Sequence, residues 1–158
     1  MKALIQKTTI RLLLVIPLFF ISIALNAQDM NSYEKAKAEI EEEFGMFPKM
    51  FEVFPDHALA GAWENFKMLN SPESKIPPKY RELLQLAVAS QIPCNYCIYY
   101  HTAAAKAHGA TEEEIQEAVA QGAQTRHWSM ILQGNQVDFQ EFQNEFNAMM
   151  KHMASKSK

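Results

Sequence analysis

The chain has 158 residues, 18 of them acidic and 15 basic, and its formal net charge at pH 7 is −3. The excess of acidic side chains argues against a nucleic-acid partner and against a general affinity for anionic membranes. The length is enough for one domain with a substantial apolar core, and we expect that domain to span residues 28–158.

The first 27 residues have the layout of a secretory signal peptide. Basic residues at the start precede an apolar stretch from Leu12 to Leu25, and the small residue Ala27 supplies a cleavage position. The stretch contains Pro17 and is short for a membrane span of about 20 residues. We therefore expect export, with the periplasm as the destination, and keep an uncleaved N-terminal membrane anchor as the alternative. Cleavage leaves 12 basic against 18 acidic residues, a net charge of −6.

Helical periodicity and capping signals predict an all-α fold. Asn31 with Glu34, and Thr111 with Glu114, are spaced as capping boxes, and glycines follow the predicted helix ends. The sequence has no convincing strand alternation, no glycine-rich phosphate loop and no internal repeat. We expect a single-domain helical bundle whose helices run over residues 31–44, 49–54, 56–69, 79–90, 94–108, 111–133 and 136–152.

Three predicted helices carry the apolar side chains of this bundle. Leu59, Trp63 and Phe66 lie on one face of the third helix and are predicted to be core. The helix over residues 79–90 is apolar at nearly every position after Glu82, which is typical of a helix buried on all sides. The last helix has a stripe that must be buried on the chain's own core or on a neighbouring subunit: Phe139, Phe142, Phe146, Met149 and Met153.

The two cysteines of the chain stand three residues apart, and a histidine follows the second. At about 100° per residue, Cys94, Cys97 and His101 fall within about 60° on one helix face. Pro93 starts the helix, so unpaired N–H groups near Cys94 favour its thiolate, while His101 lies one turn from Cys97 and can take its proton. The two effects favour different sulfurs, and the sequence leaves open which thiol attacks first.

A carboxylate lies twelve residues before the first cysteine. Glu82 is near the start of the preceding predicted helix, where its head group would ordinarily be solvated and favoured by the helix dipole. It can reach the face of the cysteines only if the two helices fold back as a hairpin. Both placements are open at this point.

This spacing of the cysteines indicates redox chemistry rather than a structural disulfide. A bridge between Cys94 and Cys97 closes a very small loop and restrains the unfolded chain little. An inert disulfide in a non-catalytic oligomer, a general dithiol–disulfide oxidoreductase, and a zinc site of Cys94, Cys97, His101 and Glu82 are the alternatives. Covalent haem attachment is excluded, because Ile98 and not a histidine follows the second cysteine.

The pattern E-x11-C-x2-C-x3-H, met by Glu82, Cys94, Cys97 and His101, resembles the alkylhydroperoxidase D-like branch of the carboxymuconolactone decarboxylase family. The segment HTAAAKAHGATEEEIQEAV is also similar to the helix, Gly-Ala turn and helix of that family. The resemblance covers about residues 77–120 well and the flanks loosely.

The resemblance implies an all-helical fold that assembles as trimers or hexamers, and a peroxidase-type dithiol cycle without a cofactor or metal. It implies that Cys97 is oxidised to the sulfenic acid, that Cys94 donates a proton and resolves it, and that Glu82 and His101 relay protons. Tyr96 stands where the alkylhydroperoxidase D proteins have a histidine between the cysteines. Cytosolic members are recharged by lipoyl proteins, so an exported one needs another thiol donor. We therefore expect an exported thiol-dependent peroxidase that reduces hydroperoxides.

Overall fold

The structure, a computed structural model, describes residues 31–156 and confirms the all-α prediction. The described part contains seven helices: α1 (Ser32–Phe44), α2 (Lys49–Glu52), α3 (Asp56–Leu69), α4 (Pro78–Gln91), α5 (Asn95–Ala107), α6 (Glu112–Gly134) and α7 (Phe139–Lys156). The expected signal peptide over residues 1–27 lies outside the described residues. None of the seven helices combines the length and the apolarity that crossing a membrane requires.

The helix boundaries follow the capping signals in the sequence. The Asn31 side chain accepts a hydrogen bond from the Glu34 N–H (3.0 Å) before α1. Thr111 and Glu114 form the predicted capping box at α6, since each side chain accepts from the backbone N–H of the other (3.2 and 2.9 Å). Gly109 follows α5 with a φ of 81°, a left-handed backbone conformation that residues other than glycine rarely adopt.

The chain divides into two compact units, of which the first ends at Ser74 and contains α1, α2 and α3. Ile40 and Leu59 are fully buried at its centre, with Phe51 and Trp63 packed against them. The predicted core role of Leu59 and Trp63 is thereby confirmed. The indole N–H of Trp63 donates to the Glu39 carboxylate (2.9 Å), so the buried ring keeps a hydrogen-bond partner.

The second unit begins at Lys75 and contains α4 to α7. Helix α4 packs against both α5 and α6, and their shared core contains Leu83, Leu86, Ala105 and Ile115. An ion pair between the Lys79 Nζ and a Glu114 carboxylate oxygen (2.7 Å) joins the start of α4 to the start of α6. The prediction of one domain over residues 28–158 stays a prediction.

The expectation that α4 is buried on all sides is wrong for one of its faces. Leu84 and Val88 are 55% and 54% exposed, whereas Leu83 and Leu86 are buried against α5 and α6. The sequence is apolar around the whole helix, but only two neighbouring helices pack against it within this unit.

Helix α6 crosses α4 at a close backbone approach. A Cβ added at Gly122 would lie 3.3 Å from the carbonyl oxygen and 3.4 Å from the Cβ of Ala87. The backbone carbonyl of Gly122 also accepts a hydrogen bond from the Gln91 side chain. Gly122 therefore allows the two helices to approach closely.

We expect Gly122→Val to lower the free energy of unfolding by about 1–3 kcal/mol, because the branched side chain forces α6 away from α4. The matched control is Gly61→Val in α3, where an added Cβ meets no atom within 4 Å. The control should leave stability unchanged or raise it by a few tenths of a kcal/mol. Urea unfolding followed by circular dichroism measures both, and equal effects at the two sites would contradict the close approach.

Candidate active site

The turn between α4 and α5 brings the predicted site residues together. Only Ile92, Pro93 and Cys94 separate the two helices, and the Cys94 N–H donates to the Ala89 carbonyl oxygen (3.2 Å). This bond fastens the start of α5 to the last turn of α4, and the two helices pack against each other as a hairpin. The hairpin that the sequence left as a condition for Glu82 is therefore confirmed.

Cys94 is the N-cap of α5 and not part of its first turn. Its sulfur accepts a hydrogen bond from the Cys97 N–H at 3.3 Å, which satisfies one of the unpaired donors at the helix start. Both thiols are free and partly exposed. A thiolate is a stronger acceptor than a thiol, so this geometry favours ionisation of Cys94.

The two sulfurs differ in acidity because they share a hydrogen bond. The Cys97 thiol donates to the Cys94 sulfur, and this bond, with the Cys97 and Tyr96 N–H groups, holds the pKa of Cys94 below its ordinary value. The same bond raises the pKa of Cys97, and partial burial acts in the same direction. In the reduced pair Cys94 is the more acidic thiol and Cys97 retains its proton.

Glu82 turns inward from α4 and is 5% exposed. Its carboxylate oxygen lies 2.8 Å from the Nδ1 of His101, which reaches it from α5. With Nδ1–H donating to the carboxylate, the other ring nitrogen, Nε2, is left as the basic atom. The solvated placement of Glu82 is thereby excluded, and Glu82 fixes the orientation and tautomer of the imidazole.

Tyr100 is a member of this region that the sequence reasoning missed. Its ring lies edge-to-face against the His101 ring, with 5.1 Å between centroids. Partial burial, and secondarily the negative charge of Glu82, raise the pKa of the Tyr100 phenol, so it stays protonated. The available signal was its position three residues after Cys97, which places it on the same side of α5.

Tyr96, in the position between the cysteines, is 90% exposed. It therefore does not take the place of a buried base in the relay with Glu82 and His101. Among residues 31–156, no three histidine, cysteine, aspartate or glutamate side chains are arranged to hold a metal ion. The zinc alternative gains no support from this arrangement.

Comparison with known proteins agrees with this fold and this cysteine pair. Residues 57–137 match the carboxymuconolactone decarboxylase family, and the chain belongs to that family. An uncharacterized protein of Cupriavidus necator is 28% identical over 82 residues, which are 52% of this chain and 68% of the relative.

The crystal structure of the alkylhydroperoxidase AhpD core from Rhodospirillum rubrum has the same fold. The two structures superpose with a TM-score of 0.59 at 24% sequence identity. The superposition covers 68% of this chain and 82% of the Rhodospirillum rubrum chain. The chain is thus an all-α, AhpD-core-like member of the family with a CxxC pair, Cys94 and Cys97.

The shared hydrogen bond predicts how the two thiols titrate. As pH rises, Cys94 should become alkylated first, with a midpoint below that of an ordinary thiol, and Cys97 only at higher pH, because each pKa is displaced in that direction. Cys97→Ala removes the donor and should raise the Cys94 midpoint, whereas Cys97→Ser retains a hydroxyl donor and should raise it less. Iodoacetamide rates mapped by mass spectrometry against pH measure this. A Cys94 midpoint that is equal in all three proteins would contradict the shared bond.

Proposed function

We propose that this protein is an exported thiol-dependent peroxidase that reduces hydroperoxides through a cycle of the Cys94–Cys97 dithiol. The observation that carries the proposal is the buried Glu82–His101 pair, on the same hairpin as a free dithiol whose two sulfurs differ in acidity. An inert bridge has no use for an oriented base of this kind, whereas a thiol that must lose and regain a proton in each cycle does.

The cycle begins when the Cys97 thiol loses its proton. The proton moves either to the Cys94 thiolate, along the hydrogen bond that the two sulfurs share, or to the imidazole of His101. The Cys97 thiolate then attacks the terminal oxygen of the hydroperoxide, so an S–O bond forms and the O–O bond breaks. The departing alkoxide takes that proton back from the group that received it, Cys94 or His101, and leaves as an alcohol. This order follows the roles that the resemblance assigns to the two cysteines.

The second step closes the disulfide. The Cys94 thiolate attacks the sulfur of the Cys97 sulfenic acid, an S–S bond forms, and the S–O bond breaks to release hydroxide, which takes a proton from solvent and leaves as water. The dithiol has then lost two electrons and the hydroperoxide has become an alcohol and water. An external dithiol donor returns the two electrons and two protons by thiol–disulfide exchange.

Glu82 acts through His101 in this proposal and is a positioning residue. Its carboxylate holds the Nδ1 proton, so that Nε2 is available to accept a proton and return it. It also stabilises the imidazolium once that proton has arrived. Removing the carboxylate leaves the dithiol in place but misorients its base.

Export and assembly complete the proposal. A leader over residues 1–27 directs the protein to the periplasm. The electron donor there is a thiol protein that is itself reduced by electrons passed through the membrane. The protein acts as a homo-oligomer, a trimer or a hexamer by family resemblance. Helix α4 leaves apolar side chains exposed, including Leu84 and Val88, and a neighbouring subunit would cover them.

Cys97→Ser should abolish peroxide consumption when dithiothreitol is the reductant, because the attacking sulfur is gone. In the absence of reductant, Cys94→Ser should still consume about one equivalent of peroxide and accumulate a sulfenic acid at Cys97, which dimedone traps and mass spectrometry locates. Circular dichroism establishes that both variants are folded. Continued turnover by Cys97→Ser, or a trapped sulfenic acid only at Cys94, would contradict the assigned roles.

Glu82→Gln should lower kcat/KM for the hydroperoxide by about tenfold to a hundredfold, because the amide has no negative charge with which to stabilise the imidazolium. The control is Glu39→Gln, which changes a carboxylate of the first unit. A kcat/KM for Glu82→Gln within about twofold of the wild type would show that the pair is only structural.

A further inference from the structure

The second half of α7 contains four soft metal-donor atoms within five residues. The segment MMKHM, residues 149–153, carries the thioethers of Met149, Met150 and Met153 and the imidazole of His152. Thioethers and imidazoles are ligands that suit copper(I), whereas calcium and magnesium take oxygen ligands and zinc takes no thioether. The ligand types of this segment therefore point to one kind of metal ion.

Helical geometry places three of these side chains next to one another. His152 and Met153 follow Met149 by three and four residues, the separations at which side chains are neighbours on a helix, with about 5–6 Å between Cβ atoms. Methionine is unbranched and has three rotatable bonds, so two sulfurs and a ring nitrogen can converge without a change in the backbone. Met150 lies about 160° from His152 around the helix and is outside this triad.

The three side chains of the triad are open to solvent. No residue of α7 is buried, and Met149 and Met153 are 58% and 59% exposed. His152 is exposed, and its imidazole has no hydrogen-bond or ion-pair partner within residues 31–156. The apolar stripe expected on this helix is thus not covered by the chain's own core, and its donor atoms are accessible to an ion.

The stripe changes its chemistry along the helix. Its last two positions are the methionines of the triad, and its first three are all phenylalanines: Phe139, Phe142 and Phe146. Either residue type makes an apolar surface. Only the end beside His152 has thioethers, so sulfur and imidazole donors coincide there, which an apolar surface alone does not require.

The charges near the triad favour a monovalent cation. Lys151 and Lys156 are the charged side chains closest to His152 in sequence, and both are positive. The nearest carboxylate, Glu145, lies about two helical turns before His152. The lysines repel a doubly charged ion more strongly than a singly charged one. Copper(I) is the singly charged ion that thioether ligands select.

We propose that Met149, His152 and Met153 form a binding site for one copper(I) ion on α7. Two thioether sulfurs and one imidazole nitrogen coordinate the ion. All three ligands are uncharged, so the bound ion keeps its single positive charge. The site uses neither cysteine, and it goes beyond the peroxidase proposal without depending on it.

Competition for copper(I) against the chelator bicinchoninate, under anaerobic conditions, tests this site. Because a dithiol itself binds copper(I), the measurement uses the full chain without a histidine tag and with Cys94→Ser and Cys97→Ser. This protein should retain one copper(I) per chain. Met149→Leu and Met153→Leu should each weaken the affinity by about tenfold or more, because each removes one sulfur ligand. Leucine keeps the apolar character and the helix propensity of methionine, so packing is preserved.

Met68→Leu is the matched control. Met68 is a methionine of α3 that is 65% exposed and has no methionine, histidine or cysteine three or four residues away on either side. Its replacement should change the copper(I) affinity less than about twofold. Circular dichroism establishes that all variants keep their helix content. Equal affinities of the Met153→Leu and Met68→Leu proteins, or loss of all copper(I) to the chelator before any methionine is changed, would overturn the site.

Discussion

The contact between Glu82 and His101 is the interaction on which the second unit depends. A carboxylate this deeply buried is tolerated only with a partner, and its hydrogen bond with His101 joins α4 to α5 at 2.8 Å. The partner can reach it only because a three-residue connection turns α5 back along α4. The same turn places Cys94 at the start of α5. Burial of one charge, reversal of the chain and exposure of the dithiol are therefore parts of one arrangement.

The two cysteines at the start of α5 lie close together but differ in hydrogen bonding and in acidity. Cys94 caps the helix and receives hydrogen bonds, which stabilises its thiolate, while Cys97 donates one of them and keeps its proton. The more acidic sulfur is thus the one that the proposed cycle assigns to resolution, and the sulfur proposed to attack starts protonated. Chemistry at Cys97 then requires an acceptor for its proton, and Cys94 and His101 are the two that the hairpin supplies.

Most of the fold could be predicted from the sequence, because helix ends are local. The Thr111–Glu114 box and Gly109 identify their boundaries without any tertiary information. The inward turn of Glu82 could not be derived in this way, since a glutamate near the start of a helix is normally solvated and only a residue nineteen positions later makes burial favourable. The exposure of Leu84 and Val88 could not be predicted either. The sequence shows that this face of α4 is apolar, but it does not show which neighbouring element, if any, covers the face. Tyr100 was missed because no motif includes it.

The role of Cys94 as the N-cap links the oxidation state of the pair to the backbone. As a thiolate, its sulfur is a strong acceptor for the Cys97 N–H, so the reduced protein has a well-capped first turn in α5. In the disulfide the sulfur carries no charge and is a poor acceptor, and the helix loses that cap. Oxidation to the disulfide would thus exchange the hydrogen bond from the Cys97 N–H for a covalent bond between the same two residues. The first turn of α5 would then be held by a different interaction in each oxidation state.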